Sequence, residues 1–318
     1  MKEEILRLLR SADGYISGQE LCNRFGVSRT AVWKAINQLK EAGYEIEAQQ
    51  NKGYRLMAAP DLMTEAEIKS LMHTEWVAKE VLYFDTIDST NTKAQELAEK
   101  GYPSGTLVVA DKQESGKGRR GRSWVSPSGT GIFMTLMIKP DINPNNASML
   151  TLVAALAVAK AITSVTGEEA LIKWPNDIVV NSKKVCGILT EVTLDAEART
   201  SRDIIVGIGI NLKKTAYPEE IRHIAVSLEE AGISARAGEV AAKVINCFDE
   251  LYDSFDIFEI LREYRELCFI LGREIVYNKD GREHRAVAKE ILENGNLAVE
   301  ENGERDILSS GEISIVVS

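Results

Sequence analysis

Apolar residues at Ile5, Leu6, Leu8 and Leu9 form a stripe that predicts a first helix ending near Ser11-Ala-Asp-Gly14. Ser17-Gly-Gln-Glu20 is spelled as a capping box, in which the Ser and Glu side chains satisfy each other's free amides, and it opens a second helix through Arg24. Phe25-Gly-Val-Ser28 supplies a turn, with Ser28 placed to cap a third helix. There Val32, Ile36 and Leu39 recur at i, i+4 and i+7 and define a buried face, while Thr30, Trp33, Lys34 and Asn37 lie off it. The alternating ends of Tyr44 to Leu56, around Asn51-Lys-Gly53, predict a β-hairpin.

Beyond Ala58-Ala-Pro-Asp61, which has linker composition, Thr64-Glu-Ala-Glu67 is a second capping box that restarts structure. Val81 to Phe84 reads as a strand and Asn91 to Lys100 as a helix stopped by Gly101. The continuous apolar runs Thr106 to Ala110, Gly131 to Ile138 and Ile204 to Leu212 predict buried strands. Ala147 to Val165, charged only at Lys160, predicts a buried scaffold helix, and Lys184 to Val192 a strand returning from Ile178-Val-Val180. Val240 to Leu251 and Phe255 to Leu267 carry a helical period, with Gly272 near the domain exit. Glu274 to Tyr277, Ala286 to Ala288, Leu297 to Val299 and Ile313 to Val317 are short strand patterns between Gly-containing turns, which suggests a small barrel. The expected architecture is α+β and multidomain: 1–60, 61–270 and 271–318.

Composition narrows the reading. At 318 residues and 44% hydrophobic the chain can build several packed cores. No window approaches ~18 uninterrupted apolar residues, and the charged start Met-Lys-Glu-Glu-Ile does not resemble a signal peptide, so a cytoplasmic protein without a membrane partner is expected. Cys22, Cys186, Cys247 and Cys268 form no CxxC pair, and His73, His223 and His284 have no partners at ligand spacing; no metal site is read, and the thiols are expected reduced and mostly buried.

A net charge of −10 argues against broad nonspecific binding to nucleic acid, yet residues 1–62 hold nine Lys/Arg against eight Asp/Glu. Two helices, a short turn and a hairpin wing follow the winged helix-turn-helix plan, whose second helix enters the major groove. Arg29, Thr30, Trp33, Lys34 and Asn37, with Lys52 on the wing, are the candidate DNA contacts. Helix pairs also occur in ordinary folds; in that case Trp33 packs under a neighbouring domain and Lys34 is merely solvated.

Candidate chemistry concentrates in Lys112-Gln-Glu-Ser-Gly-Lys-Gly-Arg-Arg-Gly-Arg-Ser-Trp124, with four cations and three glycines from Gly116 to Arg122. Glycines let backbone amides approach an anion, and Lys117, Arg119, Arg120 and Arg122 supply charge and forked donors, so the stretch reads as an anion-binding loop at strand ends or as a basic surface loop. It is not a Walker A loop, because Gly118 follows Lys117 and position 111 is Asp. Ser89 and Thr90 at a helix start are caps or donors to a polar ligand. Lys173-Trp-Pro-Asn-Asp177 is a site corner or a Pro-containing turn closed by a Lys173–Asp177 ion pair.

With Asp88-Ser-Thr-Asn91, Lys173-Trp-Pro-Asn-Asp177 and Gly207-Ile-Gly-Ile-Asn211 in this order, the loop resembles the biotin protein ligases. With its amino-terminal segment the chain is similar, over essentially its whole length, to the bacterial form that doubles as a biotin-operon repressor. The resemblance implies a central mixed β-sheet flanked by helices, of the biotin/lipoate ligase and class II synthetase kind, and a C-terminal SH3-like barrel. It implies that the biotin carboxylate attacks the α-phosphate of ATP, giving biotinyl-5′-adenylate, and that a lysine of a biotin carboxyl carrier protein then takes the biotin. Ser89, Thr90, Asn91 and Gln113 match residues around the ureido ring, which an amide suits because a urea presents donors and an acceptor. Lys117, Gly118, Arg119, Lys184 and Gly187 complete the implied biotin site. Arg119, Arg122, Trp124, Asn176, Asp177 and Asn211 fall to the nucleotide, Mg²⁺ to the distal phosphates, and the catalytic roles to Arg119 and Lys184. Lys183 is possible as a solvated turn residue only. Lys117 departs from the arginine common in the family, replacing a fork by a point charge.

Alternatives of the same outline are a ligase for a lipoate-type acid, disfavoured by Gln113 with Ser89-Thr90, and a non-catalytic biotin-sensing DNA-binding regulator, disfavoured by Arg119, Lys184 and Asp177. The cationic loop is expected to be mobile when empty and ordered by the adenylate, favouring a homodimer on operator DNA.

Overall fold

Ile5, Leu6 and Leu9 meet Leu21, Val32, Ala35, Ile36 and Leu39 in one apolar cluster, and the elements that carry them are α1 (Lys2–Ser11), α2 (Gly18–Phe25) and α3 (Arg29–Glu41). Both expected caps form: Ser17 Oγ accepts from the Glu20 amide at 3.0 Å and Ser28 Oγ from the Ala31 amide at 3.2 Å. The hairpin is β1 (Glu45–Gln49) and β2 (Gly53–Ala58), turned through Asn51 and Gly53 at positive φ. Ile16 and Tyr54 exchange both backbone hydrogen bonds at 2.9 Å, which ties the hairpin to the chain between α1 and α2.

The computed structural model describes residues 1–139, 147–195, 200–279, 281–309, 311 and 313–315. These divide into two units, Met1–Met72 with Arg236–Ala242, and His73–Ala235 with Lys243–Ser318. In the first unit Thr64 caps α4 (Glu65–Leu71) by accepting from the Glu67 amide at 3.3 Å. The Glu67 carboxylate, only 1% exposed, turns inward to Arg10 Nη2 and the Tyr44 hydroxyl, both at 2.6 Å, with Arg236 Nη2 at 3.5 Å. A buried carboxylate persists only when such donors replace its hydration. The linker-like stretch before α4 is itself pinned, since Asp61 Oδ1 accepts from the Ala237 amide at 2.7 Å and Arg236 reaches the Ala59 and Pro60 carbonyls, each at 3.1 Å.

The second unit is built on a seven-stranded sheet of β3 (Val81–Ile87), β4 (Leu107–Gln113), β5 (Gly131–Ile138), β6 (Leu171–Lys173), β7 (Asp177–Val180), β8 (Lys183–Asp195) and β9 (Thr200–Asn211), in the order β3-β4-β5-β9-β8-β7-β6. Only β3 and β4 run parallel; the other neighbours are antiparallel. Every residue of β5 is buried, as its unbroken apolar run requires of a central strand covered on both faces. Helix α5 (Thr90–Glu99) packs Ala94, Leu97 and Ala98 on Val108, Met137 and Ile205. Helix α6 (Ala147–Thr166) touches the opposite face, where Thr151 bonds Thr190 of β8 at 2.7 Å. Its stretch Ser148–Thr166 is long and apolar enough to cross a membrane, but two-thirds of it is buried inside the protein, so it is a core helix.

Helices α7 (Ala237–Ser254) and α8 (Ile257–Leu267) follow, the second capped by Asp256, and Phe255 lies between them at positive φ rather than inside the helix expected for it. A five-stranded antiparallel sheet ends the chain, formed by β10 (Glu274–Lys279), β11 (Arg282–Ile291), β12 (Leu297–Glu301), β13 (Glu304–Leu308) and β14 (Ile313–Ile315) in the order β13-β12-β11-β10-β14. Val316 and Val317 of the last expected strand lie outside the described residues. All four cysteines are free and buried.

Removing the Glu67 carboxylate takes away the acceptor of half-buried Arg10 and of the buried Tyr44 hydroxyl. Glu67→Ala is expected to destabilise the first unit by about 3 kcal/mol, and Tyr44→Phe by about 1 kcal/mol, in chemical denaturation followed by circular dichroism. Equal, small losses in both variants would show that the carboxylate is not the hub of this contact.

Candidate active site

Five short stretches meet beside β4, β7, β8 and β9. Ser89, Thr90 and Asn91 stand at the start of α5, Gln113 at the end of β4, Asn176 and Asp177 at the β6–β7 corner, and Lys184, Gly187, Gly207, Gly209 and Asn211 on β8 and β9. All of them line one cavity of about 390 Å³ together with Lys117, Gly118, Arg119, Arg122 and Trp124 of the loop. Every non-DNA candidate residue taken from the sequence is therefore gathered at one place, of a size suited to a small molecule.

The loop is closed on itself. Gly118 donates to the Arg122 carbonyl at 2.7 Å, Trp124 donates to the Gly116 carbonyl at 2.8 Å, and Lys117 bridges Ser123 as a short antiparallel pair. Arg119–Gly121 makes a single tight turn with Arg120 at φ 57°. This geometry turns Arg119 toward the corner, where its Nη1 donates to Asn176 Oδ1 at 2.6 Å. Asn176 is held in turn by its Nδ2 on the Ile188 carbonyl at 2.9 Å. The preceding Trp174–Pro175 peptide is cis.

Trp124 lies across paired glycines. A Cβ at Gly209 would come within 2.5 Å of Trp124 Nε1, and one at Gly187 within 2.9 Å of its ring, so only glycine admits the indole at these register partners. Lys184 Nζ stands 5.4 Å from the same ring and 2.7 Å from Asp177 Oδ1. The Lys173–Asp177 ion pair considered for the corner gives way to a pair with Lys184. Lys173 and Asp177 remain register partners across β6 and β7, but the strand pairing of β7 and β8 carries Lys184 to the carboxylate. Among the described lining residues six are cationic, Lys117, Arg119, Arg120, Arg122, Lys173 and Lys184, and Asp177 alone is acidic. Such a cavity in a chain of net charge −10 attracts anions.

At the other end, Ser89 occupies the N-cap position of α5 without a side-chain capping bond, so the reading of Ser89 as a mere cap does not hold. The Gln113 carboxamide is fixed, with Oε1 accepting from the Thr90 amide at 2.9 Å and Nε2 donating to Ser126 Oγ at 2.8 Å.

Several lining residues had no sequence signal strong enough to select them. Tyr217, Ile221, Ile224 and Ala225 come from the aperiodic segment after β9; an aromatic and isoleucines in a polar, Pro-containing loop were the available hint. Burial, followed by the charge of Glu230, pushes the Tyr217 phenol up to about 12 and keeps it a donor. Ile313 and Ser314 come from β14 of the last sheet and Gly311 from just before it, and this sheet is joined to the corner where Trp174 Nε1 donates to the Gly295 carbonyl at 2.9 Å.

In the first unit Arg29, Thr30, Trp33 and Lys34 are exposed on α3, Asn37 is half-buried and Lys52 is exposed at the hairpin turn. Trp33 is 58% exposed. Arg29 is steadied by Gln19, whose Oε1 accepts from Nε and Nη2 at 3.2 and 2.8 Å.

A mixed sheet with an anion-attracting cavity at its strand ends has the form of an acid-activating protein ligase, and residues 83–211 match the biotin/lipoate A/B protein ligase family while residues 2–55 match an HTH domain. The bifunctional ligase/repressor BirA of Bacillus spizizenii is 43% identical over 80% of this chain and 79% of its own length. That of Escherichia coli is 28% identical over 98% of this chain and 96% of its own. The solved biotin protein ligase of Aquifex aeolicus, in complex with biotin and ATP, superposes with a TM-score of 0.63 at 30% identity, over 76% of this chain and 100% of that one. This chain belongs to the bifunctional biotin ligase/repressors.

Gly209→Ala is expected to push Trp124 off the sheet, with a stability loss of about 1–3 kcal/mol and a red-shifted tryptophan emission that is absent in a Trp124→Phe background. An unchanged spectrum and midpoint would mean that the indole does not rest on this strand.

Proposed function

We propose that this chain is an ATP-dependent biotin protein ligase that forms biotinyl-5′-AMP and transfers biotin to a lysine of a biotin carboxyl carrier protein, and that it is also a biotin-responsive transcriptional repressor. The observation that carries the ligase reading is the cavity whose described lining residues set six cations against one carboxylate, extending to the amide and hydroxyls of Gln113, Ser89 and Thr90. Biotin has a urea at one end and a carboxylate at the other, and the cavity has matching chemistry at its two ends.

Activation requires a carboxylate to approach a phosphate, and two like charges about 4 Å apart repel by about 4 kcal/mol at an effective dielectric constant near 20. Lys184 and Arg119 offset this repulsion. Lys184 is held over Trp124 and beside Asp177, and Arg119 is fixed on Asn176, so both are oriented before substrate arrives. With the anions held at reacting distance no side-chain nucleophile is required. Arg122, Trp124, Asn176, Asp177 and Asn211 are assigned to the nucleotide. Lys117, Gly118 and Gly187 are assigned to biotin with Ser89, Thr90, Asn91 and Gln113. Mg²⁺ accompanies the ATP phosphates, and Asp177 is the one acidic group among the described lining residues that could face it.

Residues 1–60 carry the operator-reading surface, 61–270 the chemistry and 271–318 the small β module. Arg29, Thr30, Trp33, Lys34 and Asn37 are assigned to the major groove and Lys52 to the flanking backbone. The protein works in the cytoplasm, where its acceptor and operator are found.

The decisive measurement is biotin-dependent ATP/pyrophosphate exchange, with lipoate as the control acid. Lys184→Ala is expected to slow single-turnover adenylate formation at least ~10²-fold, and Arg119→Ala to form or retain the adenylate poorly. Unchanged rates in both would remove these residues from the chemistry. Binding of the adenylate neutralises the loop cations and is expected to favour a homodimer that presents two α3 helices to a two-fold operator. Sedimentation with and without biotin plus ATP checks this, and an association constant indifferent to ligand would exclude the coupling.

A further inference from the structure

Cations of the first unit are held in two different ways. Arg10 is paired with the buried Glu67 carboxylate at 2.6 Å, so its charge is neutralised inside the fold. Arg29 and Lys52, two of the cations assigned to DNA, are held by uncharged groups instead. Gln19 Oε1 accepts from Arg29 Nε and Nη2 at 3.2 and 2.8 Å, and Gln19 is itself fixed because its Nε2 donates to Asn23 Oδ1 at 2.8 Å. Lys52 Nζ stands 5.6 Å from the centroid of the Tyr15 ring.

Both holding groups come from one short segment, Tyr15 to Gln19, at the entry to α2. That segment is fastened to the hairpin that carries Lys52. Besides the two bonds between Ile16 and Tyr54, Gly53 passes at φ 117° so close that a Cβ there would overlap the Ile16 carbonyl. Ile16 turns into the core, and the alternation of extended chain then turns half-buried Tyr15 outward. The hydrogen bond from its hydroxyl to Glu47 of β1 holds the phenol above its ordinary range. Glu47 also faces Arg55 as its register partner across the hairpin, so this carboxylate has partners other than Lys52.

A long cationic side chain loses freedom when a ligand fixes it, and one that is already held loses less. A carboxylate would hold the cation and neutralise it. A ring face or an amide oxygen holds it and leaves its charge for the anion. We infer that Tyr15 and Gln19 are positioning residues for DNA binding, which hold Lys52 of the hairpin and Arg29 of α3 ready for the duplex. The inference rests on the repressor reading and adds to it two residues that act through the cations.

The test is a pair of double-mutant cycles on the full-length protein with biotin and ATP, binding a duplex that the wild type has selected from a random-sequence library. Tyr15→Leu is expected to weaken binding about two- to fivefold, the scale of an exposed contact between a cation and a ring, without changing the salt dependence. Lys52→Gln removes a phosphate contact and should lower the slope of log affinity against log salt by about 0.9. In that background Tyr15→Leu should change nothing further. Tyr15→Phe, which keeps the ring face, should bind within about twofold of wild type. Should Tyr15→Leu not fold, Tyr15→Met takes its place. Gln19→Leu, on the exposed face of α2, should likewise weaken binding while Arg29 is present and have no effect beside Arg29→Ala. Losses that persist unchanged once the cation is gone, in either cycle, overturn the inference and leave the repressor reading intact. So does wild-type affinity in the Tyr15 or Gln19 variant. Wild-type protein that selects no duplex overturns both.

Discussion

Like charges must be crowded into one cavity and kept from driving it apart. Four of the six cations among the described lining residues belong to a loop that closes through Gly118 to Arg122, Trp124 to Gly116 and Lys117 to Ser123, so main-chain bonds hold the turn that side-chain repulsion opposes. Arg119 is drawn out of the cluster by Asn176 and Lys184 by Asp177. Each cation is thereby given a direction as well as a charge. A freely moving lysine would stabilise an anion less, because fixing it would then cost conformational entropy at the moment of binding.

The register of β8 and β9 serves the same end. Gly187 and Gly209 are partners across the pair, and their missing side chains open a trough in which Trp124 lies. The indole lies beside Lys184 and lowers the solvent exposure of its charge, which raises the worth of each electrostatic contact. Two residues along β9, Gly207 makes the same allowance for Asn91. Two alternate glycines of β9, Gly207 and Gly209, therefore admit both the aromatic beside the cations and the amide of the neutral end.

In the first unit the corresponding problem is a single buried carboxylate. Glu67 collects Arg10 from α1, Tyr44 from the turn before β1 and Arg236 from a distant stretch of chain. Burial, with Glu67 adding to it, pushes the Tyr44 phenol above its ordinary range, so it remains a donor throughout the neutral range. Desolvation makes this arrangement demanding: a carboxylate so buried depends on the donors that replace its hydration.

Much of the fold could be read from local order. The caps at Ser17, Ser28 and Thr64, the buried run of β5, the face of α3 and the composition of the loop are all short-range features, in which neighbours along the chain decide the energy. The pairing of Asp177 with Lys184 rather than Lys173 was not legible, because it depends on which strand lies beside β7. Nor was the addition of Tyr217, Ile221 and Ser314 to the cavity, since those segments are aperiodic or far along the chain and reach it only through packing. The sequence by itself determined which elements form and which residue types could bind an anion, since both follow from local backbone preference and side-chain chemistry. Only the tertiary structure decided which donors face which acceptors, because hydrogen-bond direction depends on distances of a few tenths of an ångström between residues that the chain holds far apart.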